Sequence, residues 1–283
     1  MERAPVAYHC DDFSFEEHRV AVEAKLWDQA RERRQASTPA EQALAWTAFH
    51  KRHTQFFKPR RYLLQAFPQL AAGGGILILE VGCGDGASAL AVLAADATAR
   101  VVAVDFAPTA VAAAEAAAVH AGVSSRFCAL CADPSSLSPE AFCAALAAAT
   151  LAAGWAGVTC FDAVLAVFVL SALGEPQLSP FIASISRVLR PGGALLVRDY
   201  GIYDLAHLRF LRSQQSSPVF TRADSTLARF FCTDELARCV IDAAGSVILC
   251  QEELKYCCVR VPNRAKGIEM RRVFVHAVFR REP

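Results

Sequence analysis

The stretch ILILEVGCGDGA, residues 76–87, decides the fold of this chain. An unbroken aliphatic run ends at Glu80, and such a run is typical of a strand buried on both faces of a parallel sheet. Gly82, Gly84 and Gly86 then alternate with other residues. Glycines let the backbone adopt positive φ and approach a ligand closely, and the helix that follows would point its free N–H groups at that ligand. The stretch therefore predicts a strand, a tight turn and a helix that together bind a nucleotide-type cofactor.

The spacing of the glycines favours one class of cofactor. A dinucleotide fingerprint has the spacing G-x-G-x-x-G, whereas this loop is E-x-G-x-G-x-G. That form resembles the first motif of class I S-adenosylmethionine-dependent methyltransferases, and it favours a methyltransferase over a dehydrogenase. The next apolar run, ARVVAVDFA, ends in Asp105 about 20 residues after the glycines, where a carboxylate can accept hydrogen bonds from both ribose hydroxyls of an adenosine. The alternative is a solvent-exposed aspartate at a strand end.

The composition predicts a soluble intracellular protein. Of the 283 residues 54% are hydrophobic, but no apolar stretch approaches the roughly 20 residues that cross a bilayer. The first residues also lack the apolar core of a signal peptide. We therefore expect no membrane association and a cytoplasmic location, with the nucleus as an additional one.

The cysteines and charges give weaker evidence about the class of protein. The 11 cysteines lie mostly in apolar segments, which favours free thiols in a reducing compartment. Cys128 and Cys131 form a C-x-x-C pair, but the spacing supplies no further ligands for a zinc site, so we predict no metal. The net charge is only +1, with basic residues clustered at 51–61 and at 260–281. These clusters fit either one nucleic-acid-binding patch or a solubilising surface.

Hydrophobic patterns divide the chain into two parts. Residues 1–70 are predicted to form a helical extension, with one helix from residue 15 to about residue 34 and another that begins at Thr38-Pro39. Residues 71–283 alternate strand and helix patterns and end in two strands, of which the second alternates apolar and polar residues. Arg198, Asp199 and Tyr200 end the fifth strand, so we expect them in the ligand crevice. The polar, arginine-rich residues 201–231 are expected to form an irregular substrate lid inserted into the second part.

Longer motifs are more specific than the glycine loop. They are WTAFHKRHTQFFKPRRYL, VDFAPTAV, VFVLSAL, RDYGIYDLAHLRF and the terminal RRVFVHAVF. Together, over about residues 46–279, they resemble the eukaryotic tRNA 3-methylcytidine methyltransferases. The resemblance implies an α/β fold of the Rossmann-like class I methyltransferase type. Its sheet would have seven mostly parallel strands with an antiparallel last strand, and an N-terminal helical extension would precede it.

The resemblance also implies a cofactor and the residues that hold it. The cofactor would be S-adenosyl-L-methionine and the product S-adenosyl-L-homocysteine. The implied cofactor-binding residues are Trp46, His50, Gly82, Gly84, Asp105, Asp133, Pro134 and Val167. The chain departs from the motifs of the family at His50, Pro59 and Arg61, where the family has Tyr, Asp and His. These departures affect the details of substrate contact more than the cofactor site.

For the acceptor, the resemblance implies a cytosine that is methylated on nitrogen 3. Asp199 would place negative charge near the ring as it becomes cationic. Tyr200 and Phe57 would stack on the flipped base, and Arg60 would bind the cytosine carbonyl or a neighbouring phosphate. Asp199, Arg60 and Tyr200 are therefore the expected catalytic residues. The expected substrate-binding residues are Phe57, Arg61, Tyr203 and Arg209.

The expected function is methylation of an unpaired cytidine in the anticodon loop of tRNA. The expected partners are serine, threonine or arginine tRNAs, with an aminoacyl-tRNA synthetase or another accessory protein. Two alternatives remain: a methyltransferase for a small molecule or a protein, and a non-catalytic RNA-binding subunit that kept the fold. The intact glycine loop and Asp105 argue against the second alternative.

Overall fold

The structure is a computed structural model that describes residues 8–26, 39–52, 60–71, 73–155, 158, 160–212, 219–263 and 267–283. Its α-helices are α1 Phe15–Leu26, α2 Pro39–Arg52, α3 Leu63–Ala66, α4 Ala87–Ala95, α5 Pro108–His120, α6 Pro139–Ala152, α7 Glu175–Arg187, α8 Leu205–Arg212 and α9 Thr233–Ala243. Its strands are β1 Leu77–Val81, β2 Arg100–Asp105, β3 Phe127–Cys131, β4 Phe161–Val167, β5 Leu189–Tyr200, β6 Val219–Thr221, β7 Leu227–Arg229, β8 Leu249–Asn263 and β9 Ile268–Arg281.

One seven-stranded sheet organises the chain, in the order β3-β2-β1-β4-β5-β9-β8. Strands β1 to β5 pair in parallel, whereas β9 is antiparallel to both β5 and β8. The predicted fold class is therefore confirmed, including the antiparallel last strand. The strand order reverses between β1 and β4, and ligands of open parallel sheets bind outside the carboxyl ends of the strands at that point.

The sheet is covered on both faces, which explains the continuous apolar run of β1. All five residues of β1 are buried. Leu79 belongs to the hydrophobic cluster that includes α6, α7 and α9, whereas Ile78 belongs to the cluster that includes α3, α4 and α5. Among the helices described, none combines the length and the apolar character needed to cross a bilayer.

The alternation expected along the last strand is wrong over residues 275–279, which are all buried. Strand β9 lies between β5 and β8, and both of its faces are covered. Ala277 contributes to one hydrophobic cluster and Val278 to the other. His276 is buried as well, because its ring stacks on that of Phe67 with centroids 4.4 Å apart.

Residues before the sheet contact its edge strand β8. A segment around Asp11 forms a parallel bridge with Cys258 of the edge strand β8, and the Asp12 amide donates to the Cys258 carbonyl at 2.8 Å. Helix α1 begins at Phe15 as predicted, and the residues after Leu26 to which we extended it lie outside the described ranges. Helix α2 begins at Pro39, in agreement with the start signal in the sequence. The division of the chain at residue 70 stays a prediction.

The segment 201–231 is more regular than expected. It contains α8 and a two-stranded hairpin of β6 and β7, and the bridge between Gly201 and Phe231 holds its two ends together. Phe220 and Phe230 pack with Phe210 in a small hydrophobic cluster under the hairpin. The polar composition hid this cluster, because its aromatic residues are too far apart in sequence to form a periodic pattern.

Candidate active site

The turn after β1 has the conformation that its glycines allow. Gly82, Gly84 and Gly86 have φ values of 64°, 56° and 79°. A Cβ atom added at Gly82 would lie 2.6 Å from Cγ2 of Val169, which is far inside van der Waals contact. The main chain at Gly82 thus lies directly against the loop that follows β4. A side chain at this position would both strain the backbone and displace its neighbour.

A cavity of about 300 Å³ lies at the carboxyl ends of β1, β2 and β4. Most of the sequence-predicted residues line it: Trp46, Gly82, Gly84, Asp105, Asp133, Pro134 and Val167 from the cofactor set, and Arg60 and Tyr200 from the catalytic set. The structure therefore brings these separate motifs together in one place.

Two carboxylates in the cavity are held by hydrogen bonds from nearby groups. Asp105, at the end of β2, accepts from the Gly84 amide through Oδ2 and from the Ala107 amide through Oδ1, both at 2.9 Å. Asp133, beyond β3, accepts through Oδ1 from the amide of Ser135 at 2.9 Å and from its hydroxyl at 2.7 Å. Donors from the main chain fix the orientation of both carboxylates, as a site for a polar ligand requires.

Glu80, the acid before the glycines, lies behind the cavity wall. It is fully buried and accepts a hydrogen bond from the Ala89 amide at 2.9 Å. Burial raises the pKa of Glu80 to about 7, against the opposing effects of the Ser88 hydroxyl and the Arg60 charge. Arg60 donates from Nη1 to Oγ of Ser88 at 3.2 Å. Ser88 therefore links the cofactor loop to a residue expected to bind substrate.

Arg60 and Tyr200 are joined by an aromatic residue that the sequence analysis did not single out. The guanidinium carbon of Arg60 lies 5.4 Å from the ring centroid of Phe168. The rings of Phe168 and Tyr200 are 4.8 Å apart between centroids. Phe168 has a φ of 59°, a conformation that is rare for a residue with a bulky side chain. Strain of this kind is concentrated at functional sites, where surrounding contacts hold it in place.

These three residues also line a second, adjoining cavity. Its other residues are basic or aromatic for the most part: Tyr8, His9, Tyr62, Arg198, Val259, Arg272 and Phe274. Nη1 of Arg198 donates to the hydroxyl of Tyr8 at 3.0 Å, and the Arg198 guanidinium carbon lies 4.9 Å from the Phe274 ring centroid. Flat aromatic surfaces next to guanidinium groups suit bases and phosphates.

Asp199 lies beside the cavity but does not line it within the described part of the chain. It is fully buried and accepts hydrogen bonds from the amides of Ser171 at 3.0 Å and Tyr200 at 2.8 Å. Burial raises the pKa of Asp199 to about 6, although these hydrogen bonds lower it. In this arrangement Asp199 orients Ser171 and Tyr200, both of which line the cavity.

The remaining predicted residues lie elsewhere or outside the described ranges. Arg61 and Arg209 are exposed. The Tyr203 hydroxyl donates to Glu23 of α1 at 2.5 Å, so Tyr203 contacts the N-terminal helix rather than the cavity. His50 lies in α2, and the contacts of its side chain are outside the described set, as is the whole of Phe57.

The β6–β7 turn, part of the segment expected to form a lid, contributes Arg222 and two residues that sequence reasoning did not single out, Asp224 and Thr226. Arg222, Asp224 and Thr226 all line the cofactor cavity. The guanidinium carbon of Arg222 lies 5.8 Å from the ring centroid of Tyr200. The string TRADST is typical of a turn because of its Asp and Ser residues, and that was the only local signal for Asp224 and Thr226. The buried Arg229, by contrast, forms an ion pair with Glu175.

The cavity fits a nucleoside cofactor with a methionine side chain. The glycine turn leaves room for a ligand against bare main chain, and Asp105 offers a fixed carboxylate at the strand end where ribose hydroxyls bind in such folds. Trp46 and Phe106 add apolar surface to the lining. Together with the strand order, these features define the chain as a class I methyltransferase whose cofactor is S-adenosylmethionine.

Comparisons with known proteins identify the family. A methyltransferase-domain family model matches residues 79–195. The tRNA N(3)-methylcytidine methyltransferase Mettl2 of Drosophila melanogaster is 30% identical over 272 residues, which cover 91% of this chain and 76% of the relative. The tRNA N(3)-cytidine methyltransferase METTL6 of Rattus norvegicus is 29% identical, with coverage of 84% and 79%. The chain therefore belongs to the tRNA N3-methylcytidine methyltransferase family.

A solved structure supports the fold. It is the 1,6-didemethyltoxoflavin-N1-methyltransferase of Burkholderia thailandensis with bound 1,6-didemethyltoxoflavin and S-adenosylhomocysteine. The two chains superpose with a TM-score of 0.55 at 17% identity, over 90% of this chain and 95% of the other. At this identity the likeness concerns the fold alone.

Proposed function

We propose that this protein methylates nitrogen 3 of an unpaired cytidine in the anticodon loop of tRNA. The observation that carries the proposal is the wall of Arg60, Phe168 and Tyr200, which lines both the cofactor cavity and the adjoining basic and aromatic cavity. A flat base stacked against this wall would lie next to the cofactor, and the backbone phosphates of the same nucleotide would be near the arginines. The names of the relatives support the same substrate.

The chemistry of the acceptor explains the residues that surround it. S-adenosylmethionine supplies an electrophilic methyl group on a sulfonium. The lone pair of cytosine N3 forms the new N–C bond as the C–S bond breaks, and the C–S electron pair stays on sulfur. Positive charge passes to the ring, and no base is needed to remove a proton before the attack. The protein must therefore align the base and stabilise a cationic ring.

The residues of the wall can supply this alignment. Tyr200 offers a ring for stacking, and its backbone is fixed by the hydrogen bond to Asp199. Arg60 is oriented by Ser88, and its guanidinium can donate to the carbonyl oxygen of cytosine or to a phosphate. N3 lies on the pairing edge of the base, so the target must be unpaired and splayed out of the stack.

The substrates we propose are serine, threonine and arginine tRNAs in the cytoplasm, with the nucleus as an additional location. We also propose that an aminoacyl-tRNA synthetase or another accessory protein presents the tRNA. The test should therefore include reactions with and without the cognate synthetase.

The direct test uses purified protein, labelled S-adenosylmethionine and unmodified transcripts of the three tRNA classes. Nucleoside mass spectrometry should detect 3-methylcytidine, and a transcript with uridine in place of the anticodon-loop cytidine should give none. An Asp105→Ala variant, which loses the carboxylate at the cofactor ribose, serves as the inactive control. Calorimetric titration with S-adenosylhomocysteine shows independently whether the cofactor site is intact.

The outcomes separate the alternatives. Product in the tRNAs but on another atom or outside the anticodon loop contradicts the proposed position. Tight cofactor binding without any RNA methylation, with the synthetase present, indicates a different acceptor such as a small molecule or a protein. RNA binding without cofactor binding indicates a non-catalytic subunit.

A further inference from the structure

Asp224 has no role in the mechanism above, yet this acid lines the cofactor cavity. Asp224 is in the turn between β6 and β7 and lines the cofactor cavity together with Arg222 and Thr226. Main-chain hydrogen bonds close this turn: the Arg222 amide donates to the Thr226 carbonyl at 2.8 Å, and the Ser225 amide to the Arg222 carbonyl at 2.9 Å. The main-chain hydrogen bonds therefore fix the conformation of the turn, and with it the position of Asp224 at the cavity.

One oxygen of this carboxylate is fixed and the other is available to a ligand. Oδ1 of Asp224 accepts hydrogen bonds from the Thr226 amide at 3.1 Å and from the Thr226 hydroxyl at 2.7 Å. Oδ2 accepts no hydrogen bond from the described residues. A carboxylate held through one oxygen is oriented before the substrate arrives, which is the condition for electrostatic stabilisation.

The other acids near the cavity are engaged differently. Asp105 lies where a carboxylate is expected to bind the cofactor ribose, and Asp133 accepts a hydrogen bond from the Ser135 hydroxyl. Asp199 is fully buried, and each of its two oxygens already accepts a hydrogen bond from a main-chain amide. Asp224 belongs to the same turn as Arg222, whose guanidinium lies near the ring of Tyr200. This is the side of the cavity where the base would stack.

On the basis of the proposed function, we propose that Asp224 accepts a hydrogen bond from the exocyclic amino group of the target cytosine and selects cytosine over uracil. A carboxylate is the usual acceptor for the N4 amino group of cytosine. Uracil presents a carbonyl oxygen there, and the carboxylate would repel it. Methylation of N3 spreads positive charge onto N4, so this hydrogen bond is stronger in the transition state than in the ground state. Asp224 thus contributes to rate as well as to selectivity.

The test combines a protein variant with a change in the substrate. Asp224→Asn keeps the shape and an oxygen for Thr226, but it points an NH₂ donor at the amino group of cytosine. We expect turnover of tRNA to fall by about 10² to 10³-fold, as for loss of one preorganised transition-state partner. Affinity for S-adenosylhomocysteine should change by less than about threefold, because less than ~0.7 kcal/mol is involved. Asp242→Asn, which alters an exposed acid of α9, is the matched control.

The substrate arm uses tRNA in which the target cytidine is replaced by a 2-pyrimidinone nucleoside, which lacks the amino group. The wild type should methylate this tRNA far more slowly than the natural one, whereas Asp224→Asn should lose little more on the same change. Such non-additivity identifies a direct interaction between the two groups. If Asp224→Asn fails to fold, Asp224→Ser, which suits the turn, replaces it in the same comparison.

The outcomes distinguish this inference from the function on which it rests. If the wild type makes no 3-methylcytidine under any condition, the proposed function fails and the inference fails with it. If the wild type makes 3-methylcytidine and Asp224→Asn makes it at a similar rate, only the inference is overturned. The same holds if the effects of the variant and of the missing amino group are simply additive.

Discussion

Replacement of Gly82 by alanine tests the geometry of the cofactor turn. The residue has a φ of +64°, and the new Cβ would lie 2.6 Å from Cγ2 and 3.0 Å from Cβ of Val169. The left-handed backbone costs roughly 1 to 2 kcal/mol for a residue with a side chain. Forced overpacking adds roughly 1 to 3 kcal/mol. We therefore expect Gly82→Ala to lower the free energy of unfolding by roughly 2 to 5 kcal/mol, the sum of these two costs.

Two variants separate these contributions. Gly122 has a φ of +68°, and a Cβ added there would meet no atom within 4 Å. Gly122→Ala therefore carries the backbone cost alone, and it lies after α5, outside the cavity lining. Val169→Ala removes Cγ2 but keeps Cβ, so it should relieve part of the clash. In the double variant with Gly82→Ala, we expect a favourable coupling of about 1 kcal/mol or more.

Urea denaturation of the four proteins and the wild type measures these free energies, and calorimetric titration with S-adenosylhomocysteine measures the site. Gly82→Ala should weaken cofactor binding by at least about tenfold, a loss of more than ~1.4 kcal/mol in binding free energy. The reason is that displacement of the turn or of Val169 changes the shape of the cavity wall. Gly122→Ala should bind normally. Equal losses of stability in Gly82→Ala and Gly122→Ala, or strict additivity in the double variant, would refute the close approach to Val169.

Buried polar groups give three further expectations. Burial raises the pKa of Asp199 from 3.8 to about 6. The folded state therefore binds a proton on Asp199 more tightly than the unfolded chain does. The free energy of unfolding falls as the pH rises from 3.8 to about 6. Asp199→Asn lacks this fall, so its stability relative to wild type should rise by roughly 2.4 kcal/mol between pH 4 and pH 7. Asp204→Ala leaves Arg272, which donates from Nε to the buried Asp204 at 2.7 Å, without that partner, and should cost about 3 kcal/mol in urea denaturation. Ser88→Ala removes the hydrogen bond that orients Arg60 and should lower kcat/KM for tRNA by roughly tenfold, or ~1.4 kcal/mol.

Each of these has a result that contradicts it. A difference between Asp199→Asn and wild type that stays constant with pH would mean that the carboxyl is not desolvated. Asp242 is exposed, so Asp242→Ala should change the free energy of unfolding by less than about 0.5 kcal/mol. An equally small effect of Asp204→Ala would show that the buried ion pair does not stabilise the fold. If Ser88→Ala weakens cofactor binding as much as tRNA turnover, Ser88 acts on the loop rather than on Arg60.

The sequence predicted the parts of the structure that depend on local pattern. A strand covered on both faces is apolar throughout, and a turn with positive φ values needs glycines, so β1 and its turn could be located from residues 76–87 alone. Asp105 followed from its distance to that turn. The middle of β9 could not be predicted in the same way, because the burial of residues 275–279 depends on the two hydrophobic clusters that cover opposite faces of the sheet.

Asp199 and Asp224 show why the acceptor side was harder to predict. Both are acids of ordinary sequence context, and the end of β5 was a sound reason to expect Asp199 in the crevice. The amide of Ser171, 28 positions earlier in the chain, closes over that carboxylate. Asp224 reaches the cavity only because the hairpin of β6 and β7 folds back onto the end of β5. Long-range packing, which no local pattern encodes, decides which of these two acids lines the cavity.

The two sides of the site are therefore built by different means. The turn of Gly82 and the carboxylates of Asp105 and Asp133 come from one continuous βα stretch within the matched methyltransferase domain. Arg60 and Asp224 come from segments on either side of that domain, and each is oriented by hydrogen bonds, Arg60 to Ser88 and Asp224 to Thr226. Substitutions in those outer segments should change the proposed acceptor contacts without moving the glycine turn. We therefore expect such substitutions to lower turnover of RNA and to leave the affinity for S-adenosylhomocysteine unchanged.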